Sequence, residues 1–508
     1  MRPIYVLLYL LCALALPAQE STLHADRPFY AAGEVMRYQV YLPESAPGTV
    51  RAEVYGPDGV LVDYYFLRTR GDAAEGYHRW DYDLPTGYYR LRFSGLTAGN
   101  RPVDLGTFRY AVYNVSDRKQ APAAAPASPP PAPPEGGLTV EVRAGEIIAT
   151  GLPAGPYSVA IVNTEVTGPG VAVQTAAATV AYAYADTLFY GGVLTGAQSG
   201  EPYAVNLLPF FDTRTLDTYF SKSDAAGRYV LTVPAFEGEK QVQARGVNDA
   251  RVRARLTFPE IEAITDAPPV TAAVLNYLDL SNRRRKIYQL YGGVETPLDA
   301  VPAAATAKPL EPNESYNVQD YKTFPDMLTF FNEVAGELRY RRRRGELSAA
   351  LYNAPNQRFF SDTPLFIVDG RLTRDAEYVA GLSPADVSRL EYFYDNRQLR
   401  RDFPALGSQG VVRIELLRDN GKFPAADGEN LLTIRGLRPA QPFGREDGIP
   451  RLSPLLHWAA GRTEGGELRL AVPATDDPGE YRVIVVARDA AGGSVRSGST
   501  TVAVAASR

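Results

Sequence analysis

The sequence offers few side chains that could act together in catalysis or hold a metal. Its three histidines, His24, His78 and His457, lie in separate segments and lack the short spacing of a metal site on one element. Neither a G-x-S-x-G nucleophile elbow nor a glycine-rich phosphate loop occurs. We therefore expect each histidine to be an ordinary surface or turn residue. We predict no catalytic, cofactor-binding or metal-ligating residue, no cofactor and no enzyme activity.

Carboxylates are the other group that could do chemistry. Asp369 follows a short apolar run and precedes a glycine, and this pattern is typical of a residue that forms a turn. Asp476 and Asp477 are adjacent, so in a strand they would point to opposite faces. Glu260 and Glu262 could share one strand face, and a solvated surface explains them equally well. A hydrolase acting on envelope polysaccharide, with Asp369 as its acid, remains one alternative.

The N-terminal residues 1–18 predict a secretory signal peptide. One positive side chain precedes an apolar run of about a dozen residues, and cleavage is expected after Ala15 or Ala18. A membrane anchor would need ~20 apolar residues. The only cysteine, Cys12, lies inside this run, and the preceding Leu11 does not suit a lipid-attachment box. The mature protein would then have no disulfide, no thiolate metal site and no cysteine nucleophile.

The charge balance is that of an ordinary globular protein. The formal net charge is −5, so the chain lacks the excess of basic residues that is typical of a nucleic-acid-binding protein. Two basic runs, at 283–286 and 339–344, are expected to be solvated faces. An anionic envelope partner, such as lipid head groups or polysaccharide, is the alternative for both runs.

Length and composition predict several domains built mainly from strands. A chain of 508 residues is too long to fold around a single hydrophobic core. Its 32 tyrosines, 44 glycines and 40 prolines favour short strands joined by tight turns. We predict a mainly β, multidomain protein with several antiparallel β-sandwiches and one small α+β domain.

The first predicted domain, 22–115, contains alternating runs with turn signals between them. Its segments 26–34 (DRPFYAAGE) and 84–91 (LPTGYYRL) resemble, in order, two motifs of the macroglobulin-like domain of alpha-macroglobulin relatives. The resemblance implies an antiparallel sandwich. Residues 119–136 form a Pro/Ala-rich linker, because proline fixes φ and cannot donate a backbone hydrogen bond. The Cys-Gly-Glu-Gln thioester of some macroglobulins is absent, which excludes covalent trapping of that kind.

The next ranges are a β segment at 137–187, a sandwich at 188–258 and a connector at 259–317. The sandwich contains a "G-x-V" strand, a "G-x-P" turn and the hairpin SDAAGRYVL at 223–231. These features resemble the carboxypeptidase-regulatory-like domain, which implies a structural spacer and not a peptidase.

Residues 318–420 predict a compact α+β domain. Apolar spacing predicts a helix over 324–334, a strand at 365–368, a helix start at 383, and further strands at 390–394 and 411–417. The segments PLFIVDG, RLEYF and LGSQGVVRI resemble the plug domain of TonB-dependent receptors. Leu406 stands where that pattern has tyrosine, and one glycine of its run is absent. About 90 residues follow, whereas a 22-stranded barrel needs roughly 220, so we predict a plug-like domain without a barrel.

The last range, 428–505, reads as further strands. Its PGEYRVIVVA run at 478–487 resembles a macroglobulin-type strand pair. A C-terminal β-domain that serves as a secretion-sorting signal is the alternative.

Together these segments resemble exported macroglobulin-like domain proteins of Bacteroidetes-type bacteria. The resemblance implies a non-enzymatic scaffold or interaction protein in the periplasm or associated with the outer membrane. Its sandwiches and plug-like domain would bind envelope or outer-membrane proteins, a TonB-dependent receptor among the candidates. An accessory role in TonB-linked uptake is the further alternative.

Overall fold

The computed structural model describes residues 19–43, 48–97, 99–120, 136–167, 172–178, 186–246, 251–291, 308–321, 324–343, 345–418, 422–441, 443, 450–490 and 493–505. Strands predominate in it, arranged in several mostly antiparallel sheets, and this confirms the predicted fold class. The predicted signal peptide and most of the Pro/Ala-rich linker lie outside the described residues. Within them, no helix combines the length and the apolar composition that crossing a bilayer requires.

The strands of the first half are β1 Gln19–Ala25, β2 Phe29–Ala31, β3 Val35–Tyr41, β4 Thr49–Tyr55, β5 Leu61–Arg68, β6 Ala73–Arg79, β7 Gly87–Leu96, β8 Pro102–Tyr113, β9 Thr139–Arg143, β10 Glu146–Leu152, β11 Gly155–Asn163, β12 Val173–Ala178, β13 Thr187–Gly196, β14 Leu208–Asp212, β15 Thr218–Ser221, β16 Arg228–Pro234, β17 Glu239–Ala244 and β18 Val252–Leu256. The strands of the second half are β19 Glu314–Asn317, β20 Leu338–Arg343, β21 Glu346–Asn353, β22 Arg358–Phe359, β23 Leu365–Val368, β24 Arg371–Thr373, β25 Val387–Phe393, β26 Val411–Leu416, β27 Leu431–Arg435, β28 Leu455–Thr463, β29 Gly466–Ala471, β30 Gly479–Arg488 and β31 Val495–Val504. The helices are α1 Thr164–Thr167, α2 Ala272–Leu290, α3 Met327–Glu333, α4 Ala376–Ala380, α5 Asn396–Asp402 and α6 Ala425–Gly428.

The first sandwich packs the sheet β12-β1-β3-β6 against the sheet β2-β8-β7-β4-β5. Strand β3 shows the alternation that fills its core, because Met36, Tyr38 and Val40 all face the opposite sheet. The intervening residues Arg37 and Gln39 are also buried, although they point away from that core. The outer face of this sheet is therefore covered by another part of the molecule.

The second sandwich covers that face, and it is assembled from two distant parts of the chain. Its sheets are β29-β10-β9 and β28-β11-β30-β31, so strand β11 lies between two strands that come about 300 residues later in the chain. In β11, Val159 and Ile161 face the sandwich core, while Ala160 and Val162 face the first sandwich and helix α2. The ranges 137–187 and 428–505 read as separate segments in the sequence, and here their strands share sheets. The domain boundaries themselves stay a prediction.

The third sandwich consists of the sheets β16-β13-β18 and β15-β14-β17-β27. Its last strand, β27, follows the α+β unit in the chain and pairs antiparallel with β17. The α+β unit is therefore inserted between two strands of the third sandwich. The core of the third sandwich is continuous with first-sandwich residues, since Tyr64 and Phe66 of β5 belong to the same apolar cluster.

The α+β unit contains the five-stranded sheet β19-β25-β26-β23-β24, in which β23 and β26 run parallel. Strand β23 is the predicted run 365–368, and all four of its residues are buried because both sheet faces are covered. One face packs on helices α3 and α4, and the other packs on Phe211 and Leu216 of the third sandwich. Helix α3 begins at Met327, because the Asp326 side chain caps it, so the prediction of a helix from 324 was too long. The helix start predicted at Ser383 is a single 3-10 turn that leads into β25.

We expect a chain that ends at residue 427 to lose order in the second sandwich as well as at the cut. Strand β11 would lose both of its hydrogen-bonded neighbours, β28 and β30. Hydrogen–deuterium exchange of amides 155–163, compared between the full and shortened chains, measures this loss. Amides of β4 and β7 in the same samples are the internal control, and unchanged protection of 155–163 would contradict the interleaved fold.

Candidate functional site

The structure places the three histidines in strands, and two of them are buried. His24 lies in β1 and His78 in β6, and both are almost fully inaccessible, so the prediction of surface or turn residues was wrong for them. His457 lies in β28 and is half-buried. Burial lowers the pKa of His24 to about 3 and that of His78 to about 4, where nearby Asp63 only partly offsets the burial. Both imidazoles are therefore neutral at physiological pH.

His24 forms the one histidine–hydroxyl pair that stands out in the described part of the chain. Its Nδ1 lies 2.6 Å from Ser158 Oγ, and the Tyr41 hydroxyl lies 2.7 Å from the same oxygen. Such a pair has the composition of a nucleophile and its base. However, His24, Ser158 and Tyr41 are each fully buried between the first and second sandwiches, where no substrate can reach them. The group joins two domains and is not a hydrolytic site.

His24 and His78 are neutral in the folded state. We therefore expect the protein to lose stability in acid already at pH values well above those at which ordinary carboxylates take up protons. As the pH falls below 6.5 the unfolded chain takes up protons that the folded chain does not, so the free energy of unfolding decreases. Each histidine contributes a slope of up to about 1.4 kcal/mol per pH unit. Urea unfolding between pH 7 and pH 5 measures it. The variant His78→Phe should show a shallower slope than the wild type, and equal slopes would contradict the assignment.

Asp369 occupies the turn that its sequence context predicts. Asp369 and Gly370 form the two-residue loop between β23 and β24, and both have positive φ, of 47° and 79°. The Asp369 carboxylate accepts a hydrogen bond from the backbone N–H of Leu416, at 2.8 Å. A Cβ on Gly370 would lie 1.8 Å from the carbonyl oxygen of Thr213, so the turn sits directly against the third sandwich.

We expect Asp369→Ala to lower the free energy of unfolding by about 1–3 kcal/mol, because alanine disfavours positive φ and cannot accept the Leu416 hydrogen bond. Asp369→Asn is the matched control. Asparagine tolerates this conformation and keeps an acceptor oxygen, so its effect should stay below about 1 kcal/mol. Denaturant unfolding of both variants tests the role. An alanine variant as stable as the asparagine variant would count against a turn function.

The remaining paired carboxylates do not meet in a site. Asp476 and Asp477 lie between β29 and β30 and not in a strand. Asp476 accepts from the Arg451 backbone N–H at 2.8 Å, and Asp477 pairs with Arg284 at 2.6 Å. Glu260 and Glu262 are exposed and lie outside any strand. Among the residues that the structure describes, no group of three histidine, cysteine or acidic side chains could hold a metal ion.

The two basic runs differ in their environment. The first lies on helix α2, where Arg284 is buried against Asp477, so a solvated face was the wrong prediction for that residue. The second lies on strand β20, where Arg339 and Arg341 are exposed as expected. Arg339 also stacks over the ring of Phe359, at 4.2 Å from its centre.

A buried ion cluster joins the opening motif of the first sandwich to helix α2. Arg27 pairs with Asp26 at 3.0 Å and with Glu34 at 3.2 Å, and it also donates to the Tyr277 hydroxyl. The Glu34 carboxylate accepts from the hydroxyls of Tyr277 and Ser281 on α2. Burial outweighs the guanidinium and raises the pKa of Asp26. The sequence carried a signal for this cluster, namely three charged residues in one short motif, but not for its partners 250 residues away.

Sequence reasoning also missed a cleft of about 490 Å³ where the three sandwiches meet. The first sandwich contributes Gln39 and Glu75, and the turn before β6 contributes Arg70. The second sandwich contributes Arg462 at the end of β28, and the third contributes Arg438 just after β27. These residues come from segments far apart in the chain, so their spacing in the sequence gives no sign that they converge.

Hydrogen bonds between the domains hold the walls of this cleft in place. Trp458 Nε1 donates to the Glu75 carboxylate at 3.1 Å, and Arg462 pairs with Asp72 at 3.2 Å. Arg438 pairs with Asp63 at 3.0 Å, and its guanidinium lies 3.5 Å from the centre of the Tyr65 ring. Each contact joins a residue of the first sandwich to one from another domain. Specific contacts between the domains therefore determine the shape of the cleft.

The floor of the cleft is rich in hydrogen-bond acceptors. Gln39 and Glu75 are opposite one another in the β3–β6 ladder, so their side chains share one face. Burial raises the pKa of Glu75, although the Trp458 hydrogen bond opposes this. Gln39 is 2 % exposed, and its Oε1 has no hydrogen-bond partner among the described residues. An unpaired buried acceptor at the floor of a cleft is suited to a donor that a ligand brings.

No protein-family model and no curated protein matches this chain. Solved structures that resemble it include alpha-2-macroglobulin from Salmonella reacted with methylamine (11% identity, 96% of this chain and 40% of that chain, TM-score 0.25). Alpha-2-macroglobulin from Escherichia coli activated by porcine elastase is similar at 11% identity, 96% and 44% coverage and a TM-score of 0.25. A tetra-tandem repeat of a large adhesion protein matches at 10% identity, 96% and 99% coverage and a TM-score of 0.15. The chain spans about two fifths of the length of the two macroglobulins.

Proposed function

We propose that this chain is an exported, non-enzymatic interaction protein of the bacterial cell envelope that binds its partners at the junction of its sandwiches. The observation that carries this proposal is the cleft, because three domains are held together by specific hydrogen bonds and yet leave an open, arginine-lined space. Binding sites often lie at such domain junctions.

Export is supported by the sequence of residues 1–18 and by the single cysteine within them. We propose the periplasm, or association with the outer membrane, as its location. The first sandwich and the C-terminal strands are proposed to be macroglobulin-like, the third sandwich carboxypeptidase-regulatory-like, and the α+β unit plug-like.

The α+β unit is proposed to be a fixed module and not a gate. The Gln243 side chain of the third sandwich accepts from Leu372 N–H at 2.6 Å and donates to Leu372 O at 2.8 Å, as a neighbouring strand would. Thr373 bonds to Asp427, which follows the unit in the chain. One face of the sheet packs on Phe211 and Leu216 of the third sandwich as well as on the unit's own Leu399 and Phe403, so movement of the unit would expose part of this apolar surface.

An accessory role in TonB-linked uptake is the second candidate, and one observation favours it. Strand β20 ends its sheet and carries the exposed Arg339 and Arg341 on the α+β unit, which gives this unit a basic surface of its own. Crosslinks from this strand to an outer-membrane barrel protein would support the accessory role, and the absence of such crosslinks would exclude it.

In-cell crosslinking followed by purification of the mature chain from fractionated envelope tests the proposed function. We expect the protein in the envelope fraction, with a reproducible set of crosslinked envelope proteins. A control strain that expresses an unrelated exported β-sandwich protein at the same level identifies non-specific crosslinks. Recovery in the cytoplasmic fraction, or a crosslink pattern identical to the control, would overturn the proposal.

A further inference from the structure

The charge of the cleft is unevenly distributed. Four arginines line it, Arg68, Arg70, Arg438 and Arg462, against two glutamates, Glu75 and Glu237. Arg68, Arg438 and Arg462 are each paired with an aspartate of the first sandwich or of the segment before β13. Arg70 is exposed and makes no ion pair within the described part of the chain. The rim therefore presents guanidinium groups, of which Arg70 has, among the described residues, no ion pair and only the nearby Glu75 as a counter-charge.

Two end strands border the same space. Strand β6 ends the sheet β12-β1-β3-β6, and β28 ends the sheet β28-β11-β30-β31. Residues of both, Ala73 and Glu75 from β6 and 460–462 from β28, line the cleft. An end strand has backbone N–H and C=O groups that no neighbouring strand uses, and an extended peptide can pair with them.

The apolar part of the lining consists of small aliphatic groups. Its members are Ala73, Pro156, Leu437, Pro439, Ala440 and Ala460. No aromatic ring is among the described lining residues, so the apolar face of a sugar has nothing to stack on. Small side chains leave room for a peptide backbone, and the cleft volume lies within the range of about 300–1,000 Å³ that ligand sites have.

From these observations we propose that the cleft binds an extended, acidic peptide segment of a partner protein. Carboxylates of the segment pair with the rim arginines, above all Arg70, and a backbone N–H of the segment donates to Gln39 Oε1 on the floor. The main chain pairs with β6 or β28. This proposal rests on the proposed interaction function and names the chemistry of the partner.

Fluorescence polarisation with the purified mature chain tests this. The probe is a labelled peptide of about ten residues that alternates glutamate with valine, and its counterpart carries lysine in place of glutamate. We expect saturable binding of the glutamate peptide, weakened by salt, and at least about tenfold weaker binding of the lysine peptide. Equal binding of the two peptides, or no binding of the glutamate peptide, would overturn the proposal.

Three variants locate the site. Arg70→Glu should weaken binding by about tenfold, because it replaces the rim arginine that has no ion pair by a charge of the same sign as the peptide. Arg101→Glu makes the same change in the β7–β8 turn outside the cleft and should leave the affinity unchanged. Ala440→Trp fills the cleft from an exposed position without altering charge, and it should reduce binding by about tenfold or more. Equal effects of Arg70→Glu and Arg101→Glu would refute the site.

An oligogalacturonate serves as the competing ligand class. If this acidic oligosaccharide binds in the cleft and the peptide does not, the peptide assignment is wrong. The outcome is separable from the proposed function. Envelope crosslinks that persist in the Ala440→Trp variant, while the glutamate peptide no longer binds to it, would keep the exported interaction role and reject the cleft as the binding place in both proposals.

Discussion

The arrangement of the whole molecule depends on a polar sheet face that is buried between two domains. On the outer side of β1, β3 and β6, hydrogen bonds of 2.6–3.1 Å join His24, Tyr41 and Glu75 to Ser158 and Trp458 of the second sandwich. Hydrophobic attraction is non-directional, whereas buried polar groups must keep their particular partners. This interface therefore fixes the angle and register at which the sandwiches meet, and with them the walls of the cleft.

The same constraint explains why the histidines serve structure. A neutral imidazole fills space like an aromatic ring and still offers a hydrogen bond, which suits an interface that is both tight and polar. His78 is used differently: it stacks on Tyr65 and meets the edge of Trp80 inside the first sandwich, and its ring nitrogens have no hydrogen-bond partner among the described residues. The buried cluster around Arg27 extends the principle to helix α2, whose position is set by ionic and hydroxyl contacts as well as by apolar packing.

Much of the local structure was predictable from the sequence. The run 365–368 and its Asp-Gly turn were found because apolar content and turn chemistry are local properties. The pairing of β11 with β28 and β30 was not, because a strand rich in valine and alanine matches many partners and its choice depends on tertiary packing. For the same reason Gln39, Glu75 and Arg70 gave no signal: each is an ordinary polar residue until the fold brings the segments together. His24 is buried because the second sandwich covers its sheet, and the residues around His24 in the sequence do not predict this contact.

The interleaving of the second sandwich sets the order in which this chain can acquire its structure. Strands β9 to β11 emerge from the ribosome about 290 residues before β28 does. At ~5–20 residues per second, roughly 15–60 s pass before their partners exist. During that time β11 has no neighbour to satisfy its backbone, so it is exposed to premature association with other chains. A protein built this way gains from staying unfolded until the whole chain has been synthesised and its sheets can be completed.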